Sequence, residues 1–296
     1  MTKETTKLKF QPKSERFFLE ARENFNPTEW YIDWVAKNVK TFRPLKTIEG
    51  KRAYIGFEVS SQSITIGNLS TITHLLIMEK LGAKAIIFLA PLHTRLNQKP
   101  LVKLNLDFCK IFKNVEIIDQ NDLLKDPSYL LKAFELSTIL TVKKAFKAMS
   151  QINKKKFKEQ IPENVKFSNC LYGILQVVDI SHMSIDIAIG GLDQLKIHSL
   201  SNDFVDNTKD YLHYSILLDK RGKKISKSQN NSPDLSSEAK IEEFVKDIEL
   251  EFLESIFNLF LGPVWYTRSF SFSISKIESL EDLKIVLKEY LKKVFI

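Results

Sequence analysis

Cysteine is scarce in this chain, with two among 296 residues, Cys109 and Cys170. Neither belongs to a CxxC pair, and no Cys/His cluster stands at ligand spacing. A disulfide scaffold and a zinc site are both unsupported, and a reducing compartment is the simple reading. Long apolar runs are lacking too: none is long enough to span a bilayer. The opening MTKETTKLKF is charged and has no apolar stretch of the kind a signal peptide carries. No internal repeat or low-complexity tract interrupts the chain, which removes solenoid and fibrous architectures. These absences together lead us to expect a soluble cytoplasmic protein with no metal site and no membrane partner.

What is present is globular in character. Hydrophobic residues make up 44% of the chain and charged residues 27%, enough apolar mass to bury a core. Lys and Arg outnumber Asp and Glu by 44 to 36, a net charge of +8 that suits an anionic partner but is common in soluble proteins as well. The length allows one large domain with a smaller appendage.

Residues 1–12 read as a polar tail, and 27–37 as an amphipathic helix. From there strand and helix signals alternate. RAYIGF at 52–57 is a strand, a loop fills 58–63, and 67–81 is helical up to Gly82. KAIIFLA at 84–90 is an unbroken apolar run of strand length, as expected of a parallel strand covered on both faces. Helical character is expected at 102–112, a strand at 115–119, a turn at 121–126 and one long helix over 128–149. Lys143, Lys144 and Lys147 end that helix and Lys154, Lys155, Lys156 and Lys158 follow it, forming the most basic part of the chain. Helices at 167–183 and 193–204 and strands at 185–189 and 214–218 complete the alternation. The expected fold class is therefore α/β, a Rossmann-like doubly wound parallel sheet whose ligands bind beyond the strand C-termini. A boundary near Asn231 introduces a small, mainly helical C-terminal domain, with helices at 238–247, 251–261 and 280–294. The expected organisation is an N-terminal extension over 1–45, a catalytic domain over 46–230 with a helical insertion near 120–165, and the short domain over 231–296.

Four places carry chemistry-bearing residues. Thr65-Ile66-Gly67-Asn68 lies where the first strand hands over to its helix. A glycine there admits a nucleotide close to backbone, and a helix N-terminus favours phosphate; an ordinary tight turn would look the same. Lys224-Ile225-Ser226-Lys227-Ser228, after Gly222, is a lysine and hydroxyl loop able to close on a triphosphate, or a solvated basic turn. Tyr172, Gln176 and Asp179 stand at i, i+4 and i+7 on one helix face, and a buried phenol, amide and carboxylate need polar partners unless that face is partly exposed. Gly190-Gly191-Leu192-Asp193-Gln194 links a strand to a helix, where ligands gather or where Asp193 caps the helix.

Taken together, the first two segments resemble the HIGH and KMSKS motifs of class I aminoacyl-tRNA synthetases. Tyr54-Ile55-Gly56-Phe57-Glu58, Leu92-His93 with Leu96-Asn97-Gln98-Lys99, the run from Tyr172 to Asp179, and Gly190 to His198 are similar to the archaeal and eukaryotic tyrosyl branch. The resemblance spans about residues 50–230 and fades beyond it. The chain departs from the pattern at Thr65, where histidine is usual. Threonine offers a hydroxyl donor with shorter reach and no cationic form.

The resemblance implies an ATP-dependent tyrosine–tRNA ligase. In it Tyr54 and Asp179 would hold the substrate hydroxyl, and Tyr172, Gln176 and Gln194 would surround the amino group. Asp193 would bind the ATP ribose, and Gly56, Gly67 and Asn68 would line the nucleotide site. Thr65, Asn68, Lys224 and Lys227 would serve the phosphates, and Mg²⁺ would accompany ATP and pyrophosphate. His93 reads either as pocket lining or as a packed core histidine. L-tyrosine, ATP and tRNA(Tyr) are the implied partners, and a homodimer the implied assembly. Two other readings stand beside this one: a tryptophanyl enzyme, and a catalytically silent RNA-binding relative. The C-terminal aromatics Trp265, Tyr266, Phe270 and Phe272, with Arg268, read either as an anticodon-binding surface or as the small domain's core. The stretch after the lysine loop is shorter than in archaeal relatives, so charging is expected to depend more on the acceptor stem than on the anticodon.

Overall fold

A computed structural model describes residues 25–149, 166–204, 208–225, 231–273, 277 and 279–296. Ser226, Lys227 and Ser228 of the lysine loop, and Lys154, Lys155, Lys156 and Lys158, lie outside the described residues.

Six strands form one sheet in the order β1-β6-β5-β2-β3-β4. These are β1 (Lys40–Thr41), β2 (Arg52–Phe57), β3 (Lys84–Leu89), β4 (Val115–Asp119), β5 (Ile187–Gly191) and β6 (Asp210–Tyr214). All neighbours run parallel except the two-residue β1, an antiparallel edge on β6. The strand order steps outward in both directions from β2, as a doubly wound sheet requires. Alternation along each strand sorts the two faces. Ala53, Ile55 and Phe57 of β2, with Ile87 and Ile189, belong to one apolar cluster, while Tyr54, Ile86, Phe88 and Ala188 belong to another on the opposite side.

The first face packs on α1 (Pro27–Asn38), α2 (Ile66–Lys80) and the C-terminal helices. The second face meets the helices carried between β4 and β5: α4 (Gln120–Leu123), α5 (Pro127–Ile139), α6 (Val142–Met149) and α7 (Ser168–His182). A short α3 (Pro91–Leu96) follows β3, and α8 (Leu195–Phe204) follows β5. The C-terminal stretch holds α9 (Glu238–Lys246), α10 (Leu250–Ile256), a wider turn over Phe257–Leu261, α11 (Gly262–Tyr266) and α12 (Leu280–Phe295).

Local chemistry explains most ends. Asn26 caps α1 by accepting from the Thr28 and Glu29 amides, with Pro27 at the first helical position. Ser279 and Asp282 cap α12 reciprocally. That helix then buries Leu283, Val286, Leu287, Tyr290, Leu291 and Val294 in the cluster that also holds the α2 side chains. Each such apolar side chain contributes about 1.5–3 kcal/mol.

Several expectations shift in the structure. The helix expected at 102–112 is a single tight turn over Asp107–Ile111. Upstream of it the backbone bonds sideways instead, from the Val102 amide to the Val59 carbonyl at 2.8 Å and from Asn105 to Gln62 at 2.6 Å. The helix expected at 128–149 breaks after Ile139, where the Thr141 hydroxyl accepts from the Lys144 amide at 3.3 Å and begins α6. The strand expected at 185–189 lies two residues later and takes in Gly190 and Gly191. The strand expected at 214–218 is Asp210–Tyr214; its buried acidic start is paired with Arg43 at 2.9 Å. Part of the turn expected at 121–126 is the short α4.

A closed polar network ties the two ends of the chain to α2. Tyr214 donates to the Tyr31 hydroxyl and Tyr31 to His74 Nδ1, both at 2.9 Å, while His74 Nε2 donates to the Leu259 carbonyl at 2.9 Å. Burial drives the His74 imidazole down to a pKa of about 3, so it is neutral. Trp265, Phe270 and Phe272 pack on one another and Phe270 on Tyr290, while Tyr266 packs on Trp30. Of the two readings of these aromatics, the packing supports the core.

Candidate active site

The parallel strands β2 to β6 end on one edge, and the chain segments leaving that edge carry most of the residues singled out in the sequence. The turn after β2 supplies Glu58, and the Thr65–Asn68 segment begins α2. The segment after β3 supplies His93, Gln120 follows β4, and Asp193 and Gln194 follow β5.

At the start of α2, Asn68 folds back on Thr65, its Oδ1 accepting from both the Thr65 amide and hydroxyl at 2.9 Å. These two bonds use only the side-chain oxygen of Asn68. Gly67 presses against the other signature loop: a Cβ built there would lie 2.4 Å from the Ile225 carbonyl oxygen. Segments 158 positions apart therefore meet, and glycine permits it.

The base of the lysine loop is pinned by Asp219, whose Oδ1 accepts from the Arg221 and Lys223 amides at 2.9 Å. Gly222 sits there at φ +68°, the left-handed conformation that glycine adopts without strain. Asn231 closes the far side, donating to Asp219 at 2.9 Å and to the Lys224 carbonyl at 3.1 Å. Lys224 Nζ bonds Asp193 Oδ2 at 2.6 Å, so these two site candidates pair with each other.

Along α7 the spacing works as expected: Tyr172 and Asp179 are buried, and Gln176 is half-buried. Tyr172 donates to Glu58 at 3.2 Å, and Glu58 also holds Asn97 and Lys99. Burial, then the Glu58 charge, keeps the Tyr172 phenol protonated. Gln176 donates to Gln194 at 3.0 Å. Tyr54, on β2, faces the α7 side; burial and the neighbouring Asp179 charge raise its pKa, so it is a phenol donor. Gly56 has room for a Cβ at ordinary contact distance, 3.7 Å from the Tyr54 ring, so its geometry alone does not demand glycine.

Asp179 is the most enclosed of these groups, at 1% exposure. It is already engaged by three donors: Tyr129 at 2.6 Å, Gln120 at 3.3 Å and His93 Nε2 at 2.7 Å. His93 is thus both buried and bonded to Asp179. Tyr129 and Gln120 were not among the site residues expected from sequence. A polar residue directly after a parallel strand was the available signal for Gln120, whereas Tyr129 looks like any apolar position of α5.

Comparison with known proteins bears on this geometry. Residues 48–252 match the family model described as tRNA synthetases class I (W and Y). The chain belongs to that family. Within it, the tyrosine–tRNA ligase of Archaeoglobus fulgidus is 29% identical over 63% of this chain and 60% of its own length, and that of Methanocaldococcus jannaschii is 32% identical over 61% and 60%. The chain thus matches about 60% of the length of these curated relatives. Among solved structures, the Archaeoglobus fulgidus tyrosyl-tRNA synthetase complexed with L-tyrosine superposes with a TM-score of 0.64 at 22% identity, covering 83% of this chain and 88% of that one. A tryptophanyl-tRNA synthetase from Aeropyrum pernix reaches 0.58 at 15%, covering 83% and 77%. These superpositions establish the class I synthetase fold.

Proposed function

We propose that this chain is a tyrosine–tRNA ligase. Tyrosine's carboxylate oxygen attacks the α-phosphorus of ATP, the bond to the bridging oxygen of pyrophosphate breaks, and the tyrosyl-adenylate forms. A ribose hydroxyl at the 3′ end of tRNA(Tyr) then takes the tyrosyl group and releases AMP.

The observation carrying this reading is that Asp179, an acceptor, and Tyr54, a donor, are buried near one another. A phenol hydroxyl both donates and accepts, and so answers both. An indole N–H only donates and would leave Tyr54 without its acceptor. Tyr172, Gln176 and Gln194 lie along the same face and suit an ammonium group.

Asp193 is the ribose acceptor in this reading. Ribose bonding there would draw the carboxylate from Lys224 and free the ammonium for phosphate, beside Asn68, Thr65, Gly56 and Gly67. Lys227 takes the role the resemblance implies, on charge developing at the leaving pyrophosphate. No residue acts as a covalent nucleophile; positioning and electrostatic stabilisation supply the rate. Mg²⁺ belongs to this reading as the counter-ion of the nucleotide's phosphates.

The family's homodimer is supported by α5. Tyr129, Ala133 and Leu136 face inward, while Leu131, Phe134 and Ile139 are 57%, 67% and 59% exposed. Lys143, Lys144 and Lys147 on α6 are exposed and suit acceptor-stem phosphates, contacts that position RNA without reading bases. A cytoplasmic setting goes with this activity; no helix among the described residues is long and apolar enough to cross a membrane.

ATP–pyrophosphate exchange with each amino acid is the deciding experiment. Tyrosine should drive it, while tryptophan and phenylalanine should not; tryptophan-driven exchange would replace this reading with the tryptophanyl one, and no exchange at all with the silent one. Sedimentation at micromolar concentration should give about twice 34.3 kDa, and Phe134→Asp should return the monomer.

A further inference from the structure

We propose that Tyr129, together with Gln120 and His93, locks the Asp179 carboxylate in one orientation, making the helical insertion a determinant of amino-acid selection. This rests on the tyrosine reading above and adds positioning residues to it.

The direction of each proton in the cluster follows from its neighbours. Gln120 Oε1 accepts from the Leu92 amide at 3.0 Å, so its nitrogen must face Tyr129 and Asp179. The Tyr129 hydroxyl accepts from Gln120 at 3.0 Å and can then donate only onward, to Asp179 Oδ1 at 2.6 Å. His93 Nε2 lies 2.7 Å from Oδ2 and must carry the proton, since a carboxylate only accepts. An ionised carboxylate offers about four acceptor directions. Three are taken, both on Oδ1 and one on Oδ2, leaving one on Oδ2 for a ligand.

The four residues come from four elements: α3 carries His93, α4 Gln120, α5 Tyr129 and α7 Asp179. Gln120 and Tyr129 are fully buried, and His93 is nearly so. Its ring also meets Tyr172 edge-on, with centroids 4.3 Å apart. A carboxylate held this way cannot turn to another partner when a ligand without a hydroxyl enters, so the vacant direction remains an uncompensated, dry acceptor. That penalty is what discriminates between a substrate and its deoxy analogue. With the lock removed, the carboxylate can turn or admit water, and the penalty falls.

Tyr129→Phe removes one oxygen and leaves the packing of α5 intact, which makes it the test. Exchange kinetics of this variant should show tyrosine KM rising about 10–100-fold, the range for a hydrogen bond to a charged group, with kcat changing far less. The preference for tyrosine over phenylalanine should fall with it. Leu136→Ala, on the same helix and buried in the same apolar cluster, serves as the comparison. It should lower the melting temperature and leave both KM and the preference in place. If Tyr129→Phe keeps the full preference and an unchanged KM while the unmodified chain exchanges with tyrosine, the lock is wrong and the ligase reading stands. The same follows if Leu136→Ala reproduces both changes. An unmodified chain that shows no tyrosine-dependent exchange overturns the ligase reading and the lock with it.

Discussion

His74 and His93 are both buried beside tyrosine side chains, on opposite faces of one sheet, and they differ in how completely they are satisfied. Both His74 nitrogens have partners, Tyr31 and the Leu259 carbonyl, and the chain of donors ends on backbone. His93 bonds Asp179 through Nε2 while its buried Nδ1 has no partner, and the carboxylate it holds keeps one acceptor direction open. The first network is closed and joins α1, α2, β6 and the C-terminal helices. The second is open and faces the edge where parallel-sheet ligands bind. A fully paired buried network stabilises, whereas an incompletely paired one marks a place where something else completes the bonding.

Substituting Asp179→Asn should break that contrast most severely. Removing a buried, hydrogen-bonded charge commonly loses 2–5 kcal/mol, so tyrosine-dependent kcat/KM should drop by about 10²–10³-fold while circular dichroism shows a folded chain. Near-normal exchange would remove Asp179 from the site. The unmodified chain should meanwhile reject phenylalanine by about 10⁴–10⁵, a figure characteristic of tyrosyl enzymes rather than one obtained from this geometry.

Gly67→Ala probes the junction of the signature loops. Its Cβ would collide with the Ile225 carbonyl, so the loop must move, and a displacement of about 1 Å can lower the rate by about 10²-fold. Unchanged exchange kinetics would mean that the contact plays no part in the reaction.

His74→Gln reverses the pattern. It should reduce stability by about 1–3 kcal/mol through broken hydrogen bonds while leaving the preference for tyrosine over phenylalanine intact. The pH dependence has a definite sign. His74 goes from its ordinary value of 6.5 when unfolded to about 3 when folded, so between these values the unfolded chain binds the extra proton. Stability from this residue is whole above pH 6.5 and falls as pH drops towards 3, by up to about 1.4 kcal/mol per pH unit. Burial also lowers the His198 and His213 values, which adds loss of the same sign in both proteins. Melting curves at pH 7 and pH 4.5 should therefore show a smaller acid loss in the variant; equal losses would place the titration elsewhere.

The smallest effect is expected from Tyr290→Phe. It removes the 2.6 Å bond to Thr73 between α12 and α2, worth about 1 kcal/mol, with no change in exchange. A kinetic effect there would show that the C-terminal helices influence the site.

Local sequence was informative where a single element carries the signal. Period-two and unbroken apolar runs placed β2, β3 and β4, because strand burial repeats along the chain. Helical spacing put Tyr172, Gln176 and Asp179 on one face, and glycine with lysine marked the two loops. What local pattern could not reach was any choice made across the chain. Residues 102–106 are drawn out of a helix by Val59 and Gln62, and the long helix at 128–149 divides at Thr141. Tertiary structure alone gathered His93, Gln120 and Tyr129 onto Asp179. It also paired Lys224 with Asp193, and it closed the Tyr31–His74 network, which links positions 31, 74, 214 and 259. Periodicity reports which face of an element is apolar, but which buried polar atoms meet depends on how separate elements pack, and that information is spread over the whole chain.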